Sequence, residues 1–282
     1  MLAGSTGKHT PKAGRLGSGP ALGRQVWDGA TEIMIIKRWI ETLIFWGALA
    51  LLWEFGVGWL GIRRYLLPPL SEVALAGWQA RAVIAENTWV TLLEVLVGFA
   101  AAVLGGVLLG VLINLSAFAQ RTLYPFITAL QSMPKIALAP LMIVWFGYGF
   151  GSKVAATFLF AFFPIVIATL GGMENVAINL DEHFRALGAS RWDFFWRLQV
   201  PAALPAFVDG IKIAMPLAVI GAIVGEFIGA EEGLGHLMTL ATANAQTDLM
   251  FAAILVITAL AVLLYALVER LAKAVWWRGI SF

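Results

Sequence analysis

Residues 154–205 read VAATFLFAFFPIVIATLGGMENVAINLDEHFRALGASRWDFFWRLQVPAALP. From Val154 to Met173 there is no charge, which meets the roughly 20 apolar residues a helix needs to cross a bilayer. The island 181–205 that follows mixes acids, arginines and aromatics, and the chain then turns apolar again from Ala206 to Ala230. The stretch therefore enters a membrane, leaves it, and places a charged, helix-compatible segment at one surface before entering again.

The rest of the chain fits that reading. Of 282 residues, 60% are hydrophobic and 13% charged, and mean hydropathy is +0.85. A soluble domain of this length does not have that balance. Leu249–Val268 is a second run without charge, and Val95–Ile113 is nearly as long; Trp39–Leu60, Thr122–Gly147 and Ala206–Ala230 tolerate one or more ionisable residues. Six spans are expected, at about 39–60, 89–113, 122–147, 154–176, 206–230 and 249–271, making residues 38–282 an all-α transmembrane domain. With Cys 0, disulfides, thiolate chemistry and Cys-ligated zinc are excluded.

Cationic residues in short loops stay on the cytoplasmic side. With the N-terminus inside, the inner segments hold Lys8, Lys12, Arg15, Arg24, Lys37 and Arg38, then Arg121, Arg185, Arg191 and Arg197, then Arg270, Lys273 and Arg278. The outer ones hold Arg63, Arg64, Arg81 and Lys153. Both termini and the island 181–205 are thus expected in the cytoplasm. Residues 1–37, rich in Gly, Ser, Lys and Arg, are expected as a disordered basic tail that enforces orientation, and no cleaved leader is expected because the first apolar run starts late, near Trp39. After the Pro68-Pro69 break, Ser71 is a candidate N-cap for a short amphipathic helix through about Ile84. Trp39, Trp59, Trp78, Trp89, Trp276 and Trp277 sit near span ends as interfacial aromatics.

Inside the spans, the Gly106 to Gly110 spacing predicts close helix packing. The third span carries Met133, Pro134, Lys135 and Pro140, and its prolines predict a broken helix beside a pathway, because freed carbonyls need partners other than lipid. Lys135 either attracts an anionic solute or is held by an ion pair or the interface. Asp209 and Lys212, three apart, can pair on one helix face; Glu226 sits among small residues, in structural pairing or in gating at the outer end. Glu94 and Glu174 are expected at interfaces.

No His-Glu-x-x-His, Gly-x-Ser-x-Gly or metal-like cluster is present, His9, His183 and His236 being scattered. Gly7-Lys8 is not a P-loop, since Leu2 and His9 stand where Gly and Ser or Thr are required. The chain is not expected to be an enzyme, or to hold a cofactor or metal itself, and energy for uphill transport must come from a partner.

The island resembles the EAA loop of permease subunits of ABC importers. Glu182, Gly188, Leu198, Val200 and Pro201 fall in its register, with His183 and Phe184 standing where the pattern has two alanines. The resemblance extends over about Leu66–Arg278, and Leu66–Val73, Met133–Gly147 and Gly229–Gly235 are similar to the subgroup importing nitrate, sulfonates and taurine, whose relatives also carry neutral heterocycles. It implies a type I importer (MetI-like) permease fold in a bacterial inner membrane. It also implies a coupling helix seated in a cytoplasmic ABC ATPase dimer that binds ATP and Mg, a second permease copy, an external substrate-binding protein, and no nucleic acid. The coupling residues implied are Glu182, Arg185, Gly188, Ala189, Ser190, Arg191 and Pro201; Met133, Pro134, Lys135, Lys212 and Glu226 are the pathway candidates. The rival is an ion-coupled secondary transporter or channel using Lys135, Lys212 and Glu226.

Overall fold

A computed structural model describes residues 21–176 and 178–276. The chain is helical, with no strand among the described residues. Two units separate, Met1–Gly56 and Val57–Phe282.

The first unit is the bulk of α1 (Ala21–Trp59), of which Ile40–Trp59 is long and apolar enough to cross a membrane. Helix therefore begins within the expected tail: of 1–37, residues 21–37 are helical and 1–20 lie outside the described residues. The reason is local. After Pro20 no proline interrupts the run, and Leu, Arg, Gln, Met and Ile outweigh Gly23 and Gly29 in helix preference.

In the second unit, α2 (Leu70–Gln79) starts at Pro69, which caps by conformation rather than by a side chain. The expected Ser71 cap is thus inside the first turn, and Ile84 belongs to the next helix, α3 (Arg81–Leu115). Ser116 caps α4 (Ala117–Gln131), its Oγ accepting from Ala119 N at 3.3 Å. Arg121 is therefore helical rather than in a loop, and Pro125 lies inside the helix. A short 3₁₀ turn, Lys135–Leu138, leads into α5 (Ala139–Phe146), and α4 and the segment Lys135–Phe146 are bent by 93° at the break between them. Only Pro134 breaks the helix; Pro140 sits in the first turn of α5, where its missing N–H is not needed.

The centre is α6 (Phe150–Glu174), which packs against α3 on one side and α9 (Val200–Gly229) on the other. Between α6 and α9 lie α7 (Ile178–Ala186), α8 (Arg191–Phe194) and a π-turn, Phe195–Gln199. Last come α10 (Leu234–Ala243) and α11 (Thr247–Trp276). Five helices are span-like among the described residues, six with the bent α4–α5 pair counted as one.

Lipid offers no hydrophobic drive for helices to associate, so close approach has to come from small residues. On α3, Gly98, Ala102, Gly106 and Gly110 recur every four residues and are buried. A Cβ on Gly98 would meet Thr157 Cβ at 2.5 Å, on Gly106 Ile165 Cγ2 at 2.8 Å and on Gly110 Thr169 Cβ at 2.9 Å. On α9, a Cβ at Gly221 would lie 2.9 Å from Ala156 O and from Thr157 Cα. Gly221→Leu is therefore expected to lower stability by about 1–3 kcal/mol through overpacking, seen as a lower melting temperature in detergent. Gly171→Ala, where a Cβ meets nothing within 4 Å, should leave it unchanged.

Candidate functional site

At the end of α6 near Glu174, the island 181–205 is two helices joined by a tight turn. It is not one lever. Gly188 takes φ +70°, and Ala189 N–H donates to Phe184 O at 3.1 Å, the six-to-one bond of a Schellman cap. Ser190 then caps α8, accepting from Asp193 N at 3.1 Å while its hydroxyl donates to Asp193 Oδ2 at 2.6 Å. Arg197 pairs with Asp193 at 3.3 Å. Pro201 lies in the first turn of α9, and Pro205 lies inside that helix. The π-turn just before Pro201 widens the hydrogen-bond ring where proline cannot donate.

Glu182, Gly188, Ser190 and Arg191 are exposed, Ala189 is half-buried, and Arg185 is carried by α7 with its side chain outside the described residues. Of the two bulky residues replacing alanine, His183 is exposed, while Phe184 is half-buried edge-on to Phe194, ring centres 6.4 Å apart. Phe184, Ala189, Ser190, Arg191, Phe194 and Gln199 line a cleft of about 440 Å³. The segment is tied to the bundle where Asn114 Nδ2 donates to Gln199 Oε1 at 3.2 Å, and beside it Gln120 Nε2 of α4 donates to Glu174 Oε1 at the end of α6.

The pathway candidates are not brought together. Met133 and Pro134 are exposed at the break between α4 and α5, and Lys135 is half-buried with its Nζ 5.4 Å from the centre of the Phe163 ring. Lys212 pairs with Asp209 at 3.4 Å, as their spacing predicted. Glu226 is fourteen residues further along α9, about 21 Å at 1.5 Å per residue. A continuous ion path through Lys135, Lys212 and Glu226 is therefore not assembled.

Glu226 instead closes a buried clasp at the other end of the bundle. Its Oε1 accepts from Thr91 Oγ1 at 2.6 Å and its Oε2 from Gly235 N at 2.5 Å. Thr91 Oγ1 also accepts from Leu234 N at 2.9 Å, and Asn87 Oδ1 accepts from Gly233 N at 2.7 Å. Gly233 has φ +108°, and a Cβ there or on Gly235 would run into the Glu226 carboxylate. Lys153, expected in an exposed loop, is 3% exposed and donates to Gly229 O at 3.0 Å. Glu94, expected at an interface, is 2% exposed, and its Oε2 has no hydrogen-bond partner. Asn87, Thr91, Glu94 and Lys153 were not singled out as site residues. Asn87, Thr91 and Glu94 recur at four and three residues, one face of a helix, and that polar stripe was the signal available. No group of three acidic, His or Cys side chains placed to hold a metal is found among the described residues.

Residues 102–277 match the family described as binding-protein-dependent transport system inner membrane component. The chain belongs to that family. It is a permease subunit of an ABC importer, a transport component and a multi-pass inner-membrane protein. The permease is 36% identical to the formylaminopyrimidine transport permease protein of Halalkalibacterium halodurans, over 82% of this chain and 93% of the relative. It is 31% identical to the taurine transport system permease protein of Escherichia coli, over 72% of this chain and 76% of the relative. Its fold is similar to a chain of the MetNI methionine ABC transporter solved in an inward-facing conformation, with TM-score 0.62 at 22% identity, covering 70% of this chain and 98% of that one.

Removing the Glu226 carboxyl leaves Gly235 N without its acceptor and Thr91 Oγ1 with Asn87 O alone, at 3.1 Å. Glu226→Ala is expected to cost about 1–3 kcal/mol, from the buried donor left unsatisfied. Thermal unfolding of the purified permease checks it, with Asp209→Ala, at an exposed pair, expected within about 0.5 kcal/mol of the parent.

Proposed function

We propose that the permease forms, with a second copy of itself, the translocation pathway for a small polar solute of the kind named for its relatives, delivered by an external binding protein. The segment 178–205 docks in a cytoplasmic ABC ATPase dimer, which binds ATP and Mg, and both termini lie in the cytoplasm. The carrying observation is the Gly188–Ser190 turn, which ends one helix and caps the next so that Glu182 and Arg191 are both presented outward. Such a turn holds its shape under load because its bonds are local and complete.

Closure of the ATPase dimer pushes the two turns together. The push enters α6 and α9: Gln199 Nε2 donates to Met173 O of α6 at 3.5 Å, and the segment runs directly into α9. Each state of the pathway is then populated according to what the ATPase and the binding protein hold. Lys135, beside the 93° break, supplies local positive charge for the anionic part of a solute, and this supports the sulfonate and taurine type. Arginine and lysine enrichment on the side of the docking segment supports its cytoplasmic placement.

Gly188→Pro requires φ near −65° where the chain has +70°. It is expected to abolish ATP-dependent uptake in reconstituted vesicles while membrane insertion persists. Gly188→Asn, which tolerates the left-handed region, should keep at least a third of it. Normal uptake by the proline variant would overturn the docking assignment.

A further inference from the structure

We propose that Gln199, paired with Asn114, is a positioning residue that makes α3 travel with the docking segment when the ATPase dimer closes. The proposal rests on the docking reading above and adds which further helix receives the motion, and through which side chain.

Gln199 ends the π-turn, which buries Phe195 and Leu198, and is itself half-buried. An amide on that side of the segment has to find partners inside the protein, and it finds them on two helices. Its Oε1 accepts at 3.2 Å from Asn114 Nδ2, in the last turn of α3. Its Nε2 lies 3.5 Å from Asn114 Oδ1 and 3.5 Å from Met173 O. The two amides therefore face each other donor to acceptor in both directions. Because an amide nitrogen carries two hydrogens, Nε2 also serves Met173 O, one of the last carbonyls of α6, which a helix end leaves without a partner of its own.

Around this pair the segment and the end of α3 are separated by the cleft of about 440 Å³, lined by Asn114 and Leu115 from α3 and by Phe184, Ala189 and Arg191 from the segment. Further in, Val111 of α3 packs against Met173, Phe195 and Ala203. Apolar contact has no preferred direction, so it lets side chains slide. A hydrogen-bonded amide pair has a preferred distance and angle, and so fixes the register between segment and helix. A displacement delivered to Asn114 then passes to the glycines of α3 that lie against α6.

The test uses spin labels, which attach only where placed because the chain has no cysteine. Leu187→Cys, beside the Gly188 turn, and Leu108→Cys, on α3, are both at exposed positions. Their separation within one copy is read by double electron–electron resonance on the purified permease–ATPase complex in nanodiscs, with labelled chains diluted into unlabelled ones, nucleotide-free and trapped with ATP and vanadate. The parent separation is expected to be the same in both states. With Asn114→Leu and Gln199→Leu together it is expected to shift on trapping, at the parent's melting temperature, since replacing both partners of a hydrogen bond by apolar groups of similar shape is close to neutral. Asn114→Ala alone, at a helical position that alanine favours, should give the same shift. Gln199→Glu, which keeps an acceptor for Asn114 Nδ2, should keep the separation constant. A parent separation that shifts on trapping, or variants whose separation does not, would overturn the positioning role. A separation altered equally in both states would make the amides merely structural and also overturn it. Bound ATPase distinguishes the two readings: variants that retain a hydrolysing ATPase yet show no shift sink the positioning role alone, whereas a parent permease that retains no ATPase sinks the docking reading and this one with it.

Discussion

The approach of α6 to α3 and α9 is the constraint on which the second unit depends. In a bilayer, apolar side chains gain little by exchanging lipid for one another, so helices stay together only where backbones come close enough for many dispersion contacts at once. The four-residue repeat of Gly98, Ala102, Gly106 and Gly110 provides this on one side of α6. Gly210, Gly221 and Gly225 provide it on the other, with Ala168, Ala156 and Lys153 against them. The arrangement leaves no room for adjustment by a single methyl at most of these positions, which makes α6 and α9 behave as one body rather than as two helices sliding freely.

That rigidity gives the two polar constructions their meaning. At one end, the chain reverses through the Gly188 cap and the Ser190 cap, so all specificity there lies in backbone geometry and a few exposed side chains. At the other, the α9–α10 connection is held by Glu226, Thr91 and Asn87, three side chains that together satisfy the first N–H groups of α10. Helix N-termini leave such groups orphaned, and in an apolar surrounding a carboxylate is a strong answer to them. Glu226 therefore earns its burial by capping, a role different from that of a free charge in a pathway.

The five span-like helices and the bent α4–α5 pair were legible because hydropathy over about 20 residues is a sum, insensitive to which residue does what. The segment 181–205 was legible as a charged, helix-compatible island between two spans, although the sequence did not disclose that Gly188 is a Schellman cap or that Pro201 lies in the first turn of α9. Edges were less legible. Arg121 and Lys153 suggested loops, yet Arg121 sits on α4, and Lys153 is buried because Gly229 O accepts from it. Charge near a span end does not reveal whether a partner awaits across the bundle. The clasp was hidden for the same reason: Thr91 and Glu226 are 135 residues apart, and nothing local in either stretch names the other.

The placement of the Lys153 contact and the Gly188 turn at opposite ends of α6 and α9 carries a mechanical consequence. Lys153 and Gly225 are in contact near one end of α6 and α9, and Gly172 and Ala203 near the other. A rotation imposed at the Ala203 end cannot be absorbed between the helices, since a Cβ has no space at either contact, so it must reappear at the Lys153 end. There it meets Gly229, whose carbonyl holds Lys153. The small residues required for packing in lipid thus double as the backbone contacts that tie the Ala203 end of α6 and α9 to the Lys153 end.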